Sequence, residues 1–201
     1  MHISEGILSA PVLLGGGALS AAGTAIGLKE VNGERIMPTA ILSAAFFVAS
    51  LIHVPVGPGS VHLVLNGLLG LLLGWACFPA ILTGLFLQAI FFQYGGLLVL
   101  GVNVFNMAAP AVCLHYLARP LLRRKKTRAI ASFGVGFLAI LAASLLMALS
   151  LALSDGGFVQ TARLVVLAHV PVMLCEGIIT MFTVSFLVRV QPEIIFPEDR
   201  S

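Results

Sequence analysis

Charge is scarce in this chain: Asp, Glu, Lys and Arg make up 9% of 201 residues, against 59% hydrophobic residues and a mean hydropathy of +1.09. That balance lies far outside the range of soluble domains and leaves a membrane protein. Cysteine is almost as sparse, and Cys77, Cys113 and Cys175 sit singly inside apolar runs. Without a CxxC pair, they read as small hydrophobic filler and exclude a disulfide framework or a thiolate metal centre. A GxxxxGK[ST] segment is missing, so the chain does not hydrolyse ATP through a P-loop, and no HExxH marks an intramembrane zinc protease. Gly59-Ser60-Val61-His62 superficially offers a serine beside a base, but side chains two residues apart on a helix diverge. The chain therefore reads as no enzyme. There is no repeat of 20–50 residues and no low-complexity tract, and a single integral membrane domain over residues 1–201 is expected. The leader has no basic n-region and carries Glu5 ahead of its apolar run, which argues against a cleaved signal peptide and for Met1 as the mature start.

What fills the chain instead is a succession of apolar runs long enough, or nearly so, to cross a bilayer. They predict an all-α, polytopic helical bundle of about seven spans: Ile7 to Leu28, Pro38 to His53, Val61 to Trp75, Phe78 to Gln93, Leu97 to Leu117, Arg128 to Leu153 and Leu164 to Val190. Lys29 and Arg35, the basic run from Arg119 to Arg128, and Arg189 with Arg200 then fall on one face, with only Arg163 outside it. The positive-inside rule makes that face cytoplasmic and puts the N-terminus outside. Glycines at a spacing of four, such as Gly23 with Gly27 and Gly70 with Gly74, predict close helix packing.

Chemistry concentrates at the start. A histidine in second position offers the α-amine of Met1, the main-chain nitrogen of His2 and Nδ1 of the His2 ring, which close a five- and a six-membered chelate ring on one ion. These three nitrogens are nearly coplanar, and one further imidazole completes a square suited to Ni(II) or Cu(II). The alternative is a frayed, solvated tip. On the same predicted face runs the segment from His53 to His62, whose two prolines and two glycines exclude helix and prescribe a turn. Ser60 reads as an N-cap, placing His62 in the first turn of the next helix as the best fourth nitrogen, with Asn66 one turn on to orient its ring. His53 is a weaker candidate, suited to an outer, orienting role. Within the spans, Glu176 is a functional candidate by default, with His115 and His169 behind it. Gln88 is a further polar residue there, while Asn103 and Asn106 are expected to tie helices together.

The opening Met-His-Ile-x-Glu-Gly-Ile-Leu, the segment from Gly57 to Gly70 and the stretch from Gly95 to Met107 resemble the CbiM/NikM proteins. These are the substrate-specific (S) components of energy-coupling factor transporters for Co(II) and Ni(II). The resemblance implies a six-helix core with an added N-terminal helix, and metal ligands that fall here on Met1, His2 and His62. It implies a transported ion bound as substrate, with no cofactor. It also implies a T-component transmembrane partner, two ATP-binding subunits, a small accessory membrane subunit, and service to cobalamin biosynthesis in a prokaryotic inner or plasma membrane. No nucleic-acid role is expected. The CbiM-like third segment puts Co(II) first. Two alternatives stand beside it: a Ni(II)-specific component of the same family, and a lone proton-coupled transporter using Glu176 and His169.

Overall fold

The computed structural model describes residues 2–56 and 59–196, with the side chains of 53–61, 158, 159, 161 and 162 outside that description. Its helices are α1 (Ala10–Glu30), α2 (Gly33–Ala49), α3 (Asn66–Leu73), α4 (Cys77–Phe92), α5 (Leu100–Arg123), α6 (Arg128–Ser154), α7 (Val159–Ala168), α8 (Val170–Val190) and the short α9 (Pro192–Ile195). Among the described residues, five helical stretches are long and apolar enough to cross a membrane: α1, residues 66–92, α5, α6 and α8. The molecule is a helical, multi-pass membrane bundle with one short two-stranded hairpin.

Residues 66–92 do not form one straight rod. Gly74 adopts φ 60° and ψ −129°, and a 3-10 turn over Gly74–Ala76 follows. His62, just before α3, and Gln88, near the end of α4, both reach the side chain of His2. The chain therefore leaves the His2 end, turns at Gly74 and comes back. α3 alone rises about 12 Å, so the outward leg is a short helix that follows strand residue His62 after three non-helical residues. Only glycine takes this turn without backbone strain.

Small residues set the packing of the opposite end. A Cβ on Gly23 would overlap the ring of Phe78, and one on Gly27 would overlap the carbonyl of Trp75, so α1 lies directly on the start of α4. Lys29 follows Gly27, and His115 lies beside Gly74 with Arg119 one turn beyond it, so these basic residues share the Gly74 end. The core between the ends is formed by residues such as Leu69, Ile81, Met107, Ile140 and Met173, all almost wholly buried.

Several predicted boundaries move, each for a local reason. Helix α2 starts at Gly33, not Pro38, because the Asn32 side chain caps it by accepting from the Arg35 N–H at 3.3 Å, with Glu34 in the first turn. Pro38 is carried inside the helix, at the cost of one main-chain bond. The expected last span from Leu164 splits at His169, because Pro171 has no N–H to give the Leu167 carbonyl and so is tolerated only in the first turn of a new helix, α8. Residues 59–62 are not a helix start. They form strand β2, paired antiparallel with β1 (His53–Val56) in the register His53 with His62 and Val56 with Gly59. Alternating Val54, Val56 and Val61 favour strand, and the proline- and glycine-rich connection favours a hairpin turn. Helix α3 begins only at Asn66, so the expected Ser60 cap and the helical placement of His62 are both corrected.

Candidate metal site

The tip of the chain is held inside the bundle. The Ile3 N–H donates to Asn103 Oδ1 at 3.1 Å, and Asn103 Nδ2 donates back to the Ile3 carbonyl at 3.2 Å. Ile3 is 2% exposed and packs with Leu8, Val99, Val102 and Leu151. Burying such a side chain contributes about 1.5–3 kcal/mol, and each hydrogen bond about 1 kcal/mol. The Leu98 N–H donates to Glu5 Oε1 at 3.0 Å, and the Ser9 N–H donates to Ser154 Oγ at 3.1 Å. The loop after α4 closes over the tip through Gly95 and Gly96, at φ 76° and 140°. A Cβ on Gly96 would overlap the Glu5 side chain, so glycine there serves the close approach as well as the conformation.

This anchoring delivers His2 to His62. Their rings lie 4.9 Å apart between centroids, and Tyr94 covers both, at 5.7 Å from His2 and 6.3 Å, nearly parallel, from His62. His62 Nδ1 stands 2.8 Å from the Leu63 carbonyl, which only accepts, so Nδ1 carries the proton and Nε2 is unprotonated. His2 Nε2 stands 2.7 Å from Gln88 Oε1, and with the amide oxygen on that side Nε2 carries the proton and Nδ1 is the acceptor nitrogen. The two unprotonated nitrogens face each other at 3.1 Å. Burial foremost, with His62 adjacent, pushes the His2 imidazole from 6.5 down to about 2, so it stays neutral. Two neutral lone pairs aimed at one point are an arrangement for a cation. With metal–nitrogen bonds of about 2.0 Å, adjacent nitrogens lie about 2.8 Å apart in a square and about 3.3 Å apart in a tetrahedron. The observed separation falls between these values, and one ion bridges the pair with a shift of a few tenths of an ångström. Among the described residues no three His, Cys, Asp or Glu side chains gather.

Met1 lies outside the described residues. His53 pairs with His62 across the hairpin, and its side chain is likewise outside the description. Asn66 does not orient His62: its Nδ2 donates to the Met107 carbonyl at 3.0 Å and its Oδ1 accepts from the Gly67 N–H at 2.9 Å. It anchors the start of α3 to α5 instead. Asn103 fastens the tip, a role beyond the helix tie expected of it, whereas Asn106 does join α5 to Ser150 on α6. His115 donates from Nδ1 to the Leu71 carbonyl at the Gly74 end, and His169 to the Val165 carbonyl. Glu176 accepts from the Val64 and Leu65 N–H groups. His169 and Glu176 are separated by about 10 Å of helix rise, too far for direct proton exchange. Gln88, Tyr94 and the pairing of Glu5 with the glycine loop carry site roles that residue type alone did not disclose.

Residues 2–194 match the family described as "Cobalt uptake substrate-specific transmembrane region". A "Putative metal transport protein" of Haemophilus influenzae is 46% identical, over 97% of each chain. A "Putative fused nickel transport protein NikMN" of Archaeoglobus fulgidus is 30% identical over 97% of this chain and 68% of its own length. A crystal structure of a transition metal transporter superposes with a TM-score of 0.81 at 29% identity, covering 98% of this chain and 96% of that one.

Proposed function

This chain belongs to the CbiM family of cobalt-uptake transmembrane proteins, and from that premise we propose that it is the ion-capturing membrane subunit of an ATP-driven importer. The ion is Co(II), with Ni(II) the alternative that planar nitrogen coordination favours on chemical grounds. It enters from outside and is gripped by the His2 ring, the His2 main-chain nitrogen, the Met1 amine and His62. The observation that supports this most directly is the convergence of two imidazole nitrogens, His2 Nδ1 and His62 Nε2, at 3.1 Å with the other nitrogen of each ring engaged by Gln88 and Leu63. Fixing the second nitrogen of each ring is how proteins orient imidazole ligands toward a metal.

The main-chain nitrogen sheds its proton on coordination, so binding releases protons. The bundle crosses the membrane about seven times if α2 and the two legs around Gly74 are each counted as one pass, and basic residues at the Gly74 end put the tip outside. Energy comes from partners: a T-component membrane protein and two ATP-binding subunits, with a small accessory membrane subunit. The absent P-loop and a relative in which this region is fused to further sequence support that division of labour.

The deciding experiment extends the chain by one residue ahead of Met1, or acetylates the amine, and titrates the purified protein with Co(II) and Ni(II). Affinity is expected to fall by about 100-fold or more, because the five-membered ring is lost. Unchanged stoichiometric binding overturns the chelate.

A further inference from the structure

The buried carboxylate of Glu176 reaches the site through a single peptide group. Its Oε1 accepts from the Val64 N–H at 2.5 Å and the Leu65 N–H at 2.8 Å. The Val64 N–H belongs to the same peptide plane as the Leu63 carbonyl, and that carbonyl accepts the Nδ1 proton of His62. One continuous path therefore runs from Glu176 Oε1 through the peptide joining Leu63 and Val64 to the His62 ring, ending at Nε2. Both polar ends of that peptide are engaged, so its plane cannot rotate without breaking a bond on each side. Leu65, the second donor, sits at φ 58°, a left-handed conformation that costs a branched residue about 1–2 kcal/mol and is maintained here by the carboxylate's hold on two successive N–H groups.

The other side of Glu176 is equally fixed. The residue is 0% exposed on α8, and a Cβ on Gly136 of α6 would overlap its main-chain carbonyl and Thr180 Oγ1, so the two helices are in backbone contact there. A carboxylate on a rigid helix pair thus defines where the non-helical lead into α3 lies.

We propose that Glu176 is a positioning residue for metal capture: by pinning the peptide between Leu63 and Val64 it sets the rotation and donor strength of His62. This rests on His62 being a metal ligand. An oxygen accepting from the Val64 N–H polarises that peptide and makes the Leu63 carbonyl a stronger acceptor, and a stronger acceptor at Nδ1–H makes Nε2 a better donor to the ion.

The test uses the full chain, purified in detergent, as wild type, Glu176→Leu and Glu176→Gln, titrated with Ni(II) while the visible absorption band of the bound ion is recorded. Glu176→Leu removes the acceptor, and affinity per folded molecule is expected to drop about 10–100-fold, with the band moving to longer wavelength. Glu176→Gln keeps an oxygen for both N–H groups and is expected to recover most of the affinity, with a smaller band shift. Should Glu176→Leu not fold, Glu176→Asp, which withdraws the carboxylate by one methylene, takes its place with the same direction of change. A fall in bound stoichiometry with an unmoved band and unchanged affinity assigns Glu176 a purely structural role and overturns the proposal, as does binding indistinguishable from wild type. A wild-type chain that binds neither Ni(II) nor Co(II) overturns the metal reading itself, and this proposal with it.

Discussion

Two histidines flank α3, and the contrast between them separates a binding site from a well-packed turn. His62 at one end and His115 at the other each stand with Nδ1 against a main-chain carbonyl, Leu63 at 2.8 Å and Leu71 at 2.9 Å. Each also lies near a tyrosine ring, Tyr94 or Tyr116. The difference is what comes to meet them. His62 is met by a second imidazole carried in on the far end of the chain, with Gln88 behind it. His115 lies against Gly74, where its ring covers the helix turn. An anchored imidazole is thus ordinary, and a site needs a second donor brought to it. The surroundings follow the same division: the tip end is tied by hydrogen bonds between segments about a hundred residues apart, such as Ile3 with Asn103, while the Gly74 end is closed by glycine and apolar contacts.

The sharpest way to break the comparison is His62→Ala. Removing one donor from the ion is expected to weaken Co(II) or Ni(II) binding by about 100-fold or more, roughly 2.7 kcal/mol, measured by titration calorimetry. Binding retained within a few-fold would erase the distinction between the two histidines. Next in size is Asn103→Ala, which touches no ion but cuts both bonds to Ile3. At about 1 kcal/mol each, their loss costs up to about 30-fold in apparent affinity if the docked tip is the binding-competent state. An unchanged Kd would show that Ile3 and Leu8 suffice to hold the tip.

Acidity probes the tip without metal. Docked, His2 is held near 2; released, it returns to about 6.5. Because the docked value is depressed, the docking free energy is fully present above pH 6.5 and is lost as pH falls from there toward 2. Between pH 7.5 and 5.5 the released form gains about tenfold. Hydrogen exchange at the Ile3 amide, corrected for intrinsic rates, is expected to speed up by that factor. No change beyond the intrinsic rate would mean that the released tip keeps His2 neutral.

Composition and periodicity made the bundle legible because each span has to be apolar along most of its length, and that demand leaves long runs. They failed where main-chain geometry decides. Nothing in the residue types of 59–66 announces that the chain stays non-helical to Leu65, since the Val64 and Leu65 N–H groups are held by a carboxyl group more than a hundred residues away. For the same reason Asn66 looked like a partner for His62 on helical spacing, and the strand moved the ring away from it. The pairing of His2 with His62 was legible because both are uncommon residue types on one predicted face. Gln88 and Asn103 were visible only as polar residues in apolar spans, and their partners lie on segments that folding alone brings near.

The smallest expected effect falls on His115→Ala. This change removes the Nδ1–H bond to Leu71 and opens space beside Gly74, and the loss of that bond and packing is expected to cost about 1–2 kcal/mol of stability, seen as a lower Tm in detergent. Affinity for the ion should stay within about twofold, because the site and this turn lie at opposite ends of α3 and share no partner, the condition under which substitutions act independently. A large loss of affinity here, with the protein still folded, would mean that α3 transmits strain along its length, and that the two histidines belong to one coupled unit.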